Sequence, residues 1–436
     1  MEYLTRKQTR TRGISFILLF VMLLFLAGCG FSDKSGNTSF SVTNGDNQGP
    51  MARIPGMLTD IHMIDEHTGW AVSWDVVGTG SYSILRTTDG GRHWTGTLRC
   101  TSTQSAGRGF MVPCFMDFHS ATVATVLAPE SVQGTPGGQA RIFVTGDGGK
   151  TWRVSVVNAS PLETAAVFVD GMHGWFLGTD DFPGNDSGSS YIGKNISLYR
   201  TSDGGATWKK IGSRPAVSQL PVTSDDAYGI VPFAASARMQ FLDQTTGWLA
   251  GTSYRKDNTS FCWLYVTHDG GSTWHQISIA FPAGGLVAWT PKFFNAQDGV
   301  LPVYMNGTGS QGTPGTMLFV THDGGQTWSG TTIAMDVTYA EYIDMEHAWN
   351  LADTSTKQFY ATSDGWRHWT TGKMITSFKR ITKVDFISPT VGWALADNQT
   401  AFVPAPGGGI RAGDVIGLLK TMDGGKTWSE ISYSQA

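Results

Sequence analysis

Seven aspartates recur in nearly the same eight-residue setting: Asp89 in TTDGGRHW, Asp147 in TGDGGKTW, Asp203 in TSDGGATW, Asp269 in THDGGSTW, Asp323 in THDGGQTW, Asp364 in TSDGWRHW and Asp423 in TMDGGKTW. A carboxylate beside paired glycines and hydroxyls can present charge to a cation or substrate, or it can accept the N–H groups of its own turn. The surroundings favour the second role. Gly-Gly permits positive φ, the Thr hydroxyls add backbone bonds, and the Trp covers the hairpin with a large apolar face. No HExxH, GxSxG, phosphate-binding loop or dinucleotide fingerprint occurs elsewhere. The acidic stretch DDFPGNDSG at Asp180 lacks EF-hand spacing. No CxxC or metal-spaced His/Cys set exists, so neither metal nor cofactor is expected. Cys100 and Cys114, 14 positions apart, could bridge in an oxidising compartment, which would leave Cys262 single and buried.

These octets must be held by a repeating element. Their aspartates are 41 to 66 residues apart, and a second motif precedes each: MIDEHTGWAV from Met63, FHSATVATVL from Phe118, FVDGMHGWFL from Phe168, FLDQTTGWLA from Phe241, FFNAQDGVLP from Phe293, YIDMEHAWNL from Tyr342 and FISPTVGWAL from Phe386. Seven strictly alternating pairs mean seven units. Each reads as four short antiparallel strands, with the octet as the three-to-four hairpin. The fold class is all-β, a seven-bladed β-propeller whose core lies between blades. With a closed ring in view, residues about 38–52 are expected to pair with the last blade.

Strand parity puts the octets on one end of the disc. The other end receives Pro129–Gln139, Thr179–Asn195, Thr252–Phe261, Asn306–Gly315 and Asn398–Asp414, and the crossings Thr97–Val112 and Gly212–Ala237. Long loops on a rigid scaffold carry binding, so Asp180, Asp181, Phe182, Tyr191, Asp225, Asp226, Phe233, Tyr254, Arg255 and Arg411 form the candidate partner face. One further column lies before the motif aromatic: His62, Asp117, Val167, Gln240, Lys292, Glu341 and Asp385, polar in six of seven units. Polar groups among apolar neighbours need partners. They form either an inter-blade belt around a wet channel or the floor of a ligand pocket.

Aromatics at 12%, charged residues at only 15% and 55 glycines suit turn-rich β-structure. At the N-terminus, Arg6, Lys7, Arg10 and Arg12 precede an apolar run from Ile14 to Gly28, short for a membrane span and of signal-peptide length. It ends in LAGC, Leu26 to Cys29, which resembles a bacterial lipobox and implies cleavage before Cys29 and lipidation of its thiol. Residues 1–28 would be the signal peptide, 29–51 a Ser/Gly/Asn-rich flexible tether and 52–436 the propeller. Residues 1–28 hold four basic groups and one acid, so cleavage moves the formal charge from −4 to −7. This charge gives no footprint for nucleic acid. An extracytoplasmic, membrane-tethered monomer is expected.

The octet resembles the Asp-box, or BNR, repeat. Paired with F-x-D…GWA, it is similar to the Asp-box propellers of the photosystem II stability/assembly factor family. The resemblance covers nearly all of the mature chain. It implies a non-enzymatic scaffold that binds a protein or peptide and assists a membrane complex. The sixth box departs from the pattern, with Trp366 for the second Gly and His368 for Thr, which puts its turn geometry in question. Sialidases and xyloglucan-type hydrolases share the octet, and the RIP at Arg53 resembles sialidases further. A sialidase-like glycoside hydrolase would draw its arginines from Arg53, Arg238 and Arg380, its nucleophile from Tyr339 or Tyr342, and the partner acid from Glu341. A carbohydrate-binding surface propeller would instead stack sugars on Trp289, Tyr191 and Tyr254.

Overall fold

The computed structural model describes residues 39–44, 56–75, 82–103, 115–130, 139–161, 166–179, 196–213, 237–254, 260–281, 286–305, 315–333, 335–338, 340–353, 356–374, 376–398 and 416–435. These residues contain strands and no helix. They form seven antiparallel sheets, each a blade with its strands in chain order from channel to rim. Blade one is Gly56–Met63, Gly69–Asp75, Tyr82–Thr87 and His93–Thr103. Blade two is Phe115–Asp117, Ala124–Glu130, Gln139–Thr145 and Arg153–Val157. In blade three the first strand is split into Ser160–Pro161 and Val167–Phe168, followed by Gly174–Thr179, Ile196–Thr201 and Lys209–Ser213. Blade four is Arg238–Phe241, Gly247–Tyr254, Ser260–Thr267 and His275–Ile277. Blade five again splits its first strand, into Leu286–Ala288 and Lys292–Phe293, and continues with Gly299–Met305, Gly315–Thr321 and Ser329–Ile333. Blade six is Glu341–Tyr342, His347–Asp353, Gln358–Ser363 and Thr370–Lys373. Blade seven is Arg380–Phe386, Gly392–Asp397, Ile416–Thr421 and Ser429–Ile431.

The second motif explains how the blades adhere. In four units the Trp near the start of the second strand lies flat on the aromatic that ends the first strand of the next blade. Trp175 stacks on Phe241 at 3.8 Å, Trp248 on Phe293 at 3.4 Å, Trp349 on Phe386 at 4.0 Å and Trp70 on Phe118 at 5.7 Å. Such pairs add about 0.5–1.5 kcal/mol beyond their area burial. The indole N–H then donates across the seam, from Trp70 to Ser120 O, Trp175 to Gly270 O, Trp349 to Gly424 O and Trp393 to Gly90 O. Each buried cluster of the core spans two neighbouring blades.

Two units lack this Trp, with Thr125 in blade two and Val300 in blade five. At the second gap the sixth box repairs the loss. Trp366 takes φ 63° where the other boxes place a glycine, and its indole is buried with Val300, Leu318 and Tyr342. At ordinary boxes the second glycine is pressed against the preceding blade, and a Cβ at Gly149 would come within 2.7 Å of Thr97. Val300 leaves room where a Trp elsewhere fills the space, so a large side chain fits. The turn questioned in the sequence therefore persists, with Asp364 still accepting His368 N–H at 3.0 Å.

Ring closure differs from expectation. Ser39–Asn44 do not pair with the last blade; they run antiparallel along Leu98–Thr103 as a fifth strand on the rim of blade one. Part of the supposed tether is thus a strand, as the β-favouring alternation in SFSVTN allows. The pairing covers an otherwise open edge. It also carries blade one's last strand on to Thr103, into what the sequence suggested was a crossing from Thr97. From the other terminus, Ser434–Gln435 pair in parallel with His93–Trp94, and Ser434 N–H donates to Arg92 O. Blade seven itself meets blade one through Trp393, Asp385 and the ion pair of Lys383 with Asp60 at 3.0 Å.

Candidate functional site

The seven boxes have the geometry of turns. Thr201 Oγ1 donates to Asp203 Oδ1 at 2.8 Å and accepts Gly205 N–H at 2.9 Å. Asp203 in turn accepts Thr207 N–H at 2.9 Å and the Thr207 hydroxyl at 2.6 Å. The same set recurs at Asp147, Asp269, Asp323 and Asp423. At Asp89 and Asp364 a histidine ring replaces the last hydroxyl, 2.5 and 2.6 Å from the carboxylate. The hydroxyl of Thr207, then its N–H, hold the Asp203 carboxyl down at about 2, and Thr327 and Thr427 do the same for Asp323 and Asp423. Each carboxylate is consumed inside its own hairpin.

This end of the disc also collects all ten histidines, in the octets, in the one-to-two turns or beside them. Five pair with a carboxylate within 3 Å, namely His93, His173, His322, His347 and His368. The sequence reading overlooked this. The signal was present, because histidine falls at the variable positions of motifs whose placement was already inferred.

The polar column resolves into a belt around the channel. Each acceptor in it takes the main-chain N–H of the aromatic in the next blade. Asp117 Oδ2 accepts Phe168 N–H at 3.1 Å, Glu341 Oε2 accepts Phe386 N–H at 2.8 Å, and Asp385 Oδ2 accepts Met63 N–H at 2.5 Å. Gln240 both accepts Phe293 N–H at 2.6 Å and donates to Phe293 O at 3.2 Å. His62 lies 3.6 Å from Asp385 and stacks near Phe118. Burial, and then the charge of Asp385, push the Glu341 carboxyl well above its ordinary range. Burial works against the charge on Lys383, but Asp60, Glu341 and Asp385 together keep its ammonium favoured. The belt is a chain of inter-blade fastenings, and the four residues Asp60, Glu341, Lys383 and Asp385 form its most charged sector.

Where the structure describes the residues of the hydrolase reading, it shows what each is bonded to or packed against. Tyr342 is buried, its hydroxyl donates to Val337 O at 3.0 Å, and burial drives its ionisation far upward. Arg380 is fastened by Nε and Nη2 to the two oxygens of buried Asp397, at 2.9 and 2.6 Å. Arg238 lies over the Trp289 ring at 5.1 Å, which leaves that face of the indole covered. Arg53 and Tyr339 lie outside the described residues. So do Cys29, Cys114, Asp180, Asp181, Phe182, Tyr191, Asp225, Asp226, Phe233, Arg255 and Arg411. Tyr254 ends the second strand of blade four. Cys100 and Cys262 are free, buried thiols, and burial pushes them up to about 11 and about 12. Among the described residues no group of three or more His, Cys, Asp or Glu is placed to hold a metal.

With seven four-stranded blades fastened by Asp-box hairpins, the fold is that of a seven-bladed Asp-box β-propeller. The family model for the BNR/Asp-box repeat matches residues 319–329, the fifth box. No curated protein matches the chain. Among solved structures, it is similar to YCF48 bound to D1 peptide, at 15% identity over 84% of this chain and 94% of that one, with a TM-score of 0.43. It is also similar to a GH74 enzyme of Niastella koreensis, at 11% identity over 86% and 72% of the two chains, TM-score 0.28. A Hadza microbial sialidase is 13% identical over 73% and 65%, TM-score 0.38. All are distant, and they include enzymes and a protein named with a bound peptide.

Proposed function

We propose that this chain is a non-enzymatic propeller, held to the extracytoplasmic side of a bacterial membrane by lipid on Cys29, that binds a protein or peptide partner. An assembly or stability role for a membrane complex fits this reading. One observation supports it: among the described residues, three groups that could serve hydrolysis are engaged in holding the fold. The Tyr342 hydroxyl is bonded to Val337 O, Arg380 is paired with Asp397, and Glu341 caps Phe386 N–H. A nucleophile or carboxylate clamp needs those same atoms for substrate. The box end is likewise consumed by its turns, so the opposite end, with its long connections, is the surface left for a partner.

Cross-linking and recovery of the chain from native membranes tests this. Recovery of a discrete protein, together with no turnover of a fluorogenic sialoside, is the expected result. Turnover of the sialoside, or retention of glycans with no protein recovered, would overturn it. For the anchor, Cys29→Ser should release the protein from the membrane fraction, and undiminished retention would sink that part.

A further inference from the structure

Four seams around the channel use one device, in which an oxygen acceptor at the column position takes the N–H of the next blade's aromatic. At the seam between blades five and six that position holds Lys292, which can donate but cannot accept. The amide at the corresponding place is that of Tyr342, so two donors face one seam. Lys292 is exposed, and among the described residues it forms no ion pair within 4 Å, although its charge acts on Asp117 in blade two. By register, Lys292 holds the column place whose acceptor would take the Tyr342 N–H, and a cation and a main-chain N–H converging on one such place are the arrangement that receives an anion.

We infer that the channel wall at this seam is a carboxylate-binding site, in which a ligand oxygen takes the acceptor place between Lys292 Nζ and the Tyr342 N–H. The chemistry follows from the other seams. Three of the four resident acceptors are carboxyl groups and the fourth is the isosteric carboxamide of Gln240, so a planar carboxylate reproduces what the fold already accommodates. The charges nearby allow it. Glu341, next in chain to Tyr342, is held toward its protonated form by burial and by Asp385, which lowers the repulsion an incoming carboxylate would meet. Asp117, in blade two, is the other acid that the Lys292 charge reaches, and burial pushes it too toward its protonated form. The site does not depend on the partner's being a protein.

Acetate and its neutral isostere acetamide are the probes, added to the full chain labelled with ¹⁵N-tyrosine, with ionic strength held constant by chloride. Acetate should move the Tyr342 amide resonance saturably, and acetamide should not. Lys292→Leu, which removes the charge and supplies no acceptor, should weaken the acetate response by about tenfold or more, the scale of one charge-assisted hydrogen bond. Lys292→Glu supplies the acceptor within the chain, so it should abolish the response and raise the melting temperature. A Tyr342 amide indifferent to acetate, or one that responds equally in Lys292→Leu, would overturn the site. A Lys292→Glu protein that melts lower and still responds to acetate would do the same. Loss of the sialoside-negative, partner-binding phenotype is a separate result and bears only on the proposed function.

Discussion

At the residue scale, the structure divides its carboxylates into two populations with opposite responses to pH. The box aspartates are held low by hydroxyl and N–H donors, Asp203, Asp323 and Asp423 at about 2 against an ordinary 3.8. A carboxyl that titrates lower when folded contributes stability above its unfolded value, and loses it as pH falls through the folded value. The fold should therefore hold until about pH 3.8 and unravel as pH falls toward 2, followed by tryptophan fluorescence; unfolding centred near pH 5 would contradict this. Glu341 behaves in the reverse sense. Its carboxyl is raised, so its contribution is full below its ordinary 4.5 and is lost as pH rises toward the folded value. Gln in its place can accept Phe386 N–H at any pH, as Gln240 does for Phe293 in blade four. Glu341→Gln should consequently raise the melting temperature at neutral pH and leave it unchanged or lower at pH 4. The two described cysteines, pushed up to about 11 and about 12 by burial, should resist thiol reagents until the protein unfolds.

At the scale of elements, the unit of cohesion is the seam rather than the blade. Trp of one blade, aromatic of the next and the box beyond it form a repeated three-part joint, and the blade five to six joint is its exception. Trp366 is 3% exposed and packs edge-on to Tyr342 at 5.7 Å, in the space that Val300 leaves open. Trp366→Gly should restore the box consensus and yet destabilise the protein by about 3–5 kcal/mol, the range for removing a buried aromatic. Val300→Trp added to it should recover part of that loss, because it rebuilds the joint used elsewhere. Denaturant titration of the two single variants and the double measures the coupling; strict additivity would show that the two residues do not share the space.

For the whole molecule, the vulnerable point is where blade seven meets blade one. Three levels of fastening lie there: Asp385 with the Met63 N–H at the channel, Trp393 with Gly90 O in the middle, and Ser434–Gln435 along His93–Trp94 at the rim. Ending the chain after Tyr433 should lower the melting temperature without changing the fold. Removing residues through Asn44 should expose the edge of Leu98–Thr103 and cause concentration-dependent association, visible by light scattering. A deletion that stays monomeric with unchanged melting would show that the rim strand is dispensable.

Local pattern alone specifies the number of blades, their four-strand composition, the end on which the boxes lie and the polar column. Each of these follows from local periodicity, since a Gly-Gly hairpin and an alternating strand are specified within a dozen residues. It also placed Asp117, Gln240, Glu341 and Asp385 in one column, but left open whether they formed a belt or a pocket floor. The belt emerges on folding, because their partners are amides 45 to 322 residues away in the chain. The same holds for Trp366, which looked like a defect in its own octet and proved to complement Val300 in another unit. Ring closure escapes the local pattern for that reason too. Pairing between chain termini and blade one depends on which edges the finished disc leaves open, and no local pattern records an edge that exists only after seven blades have met.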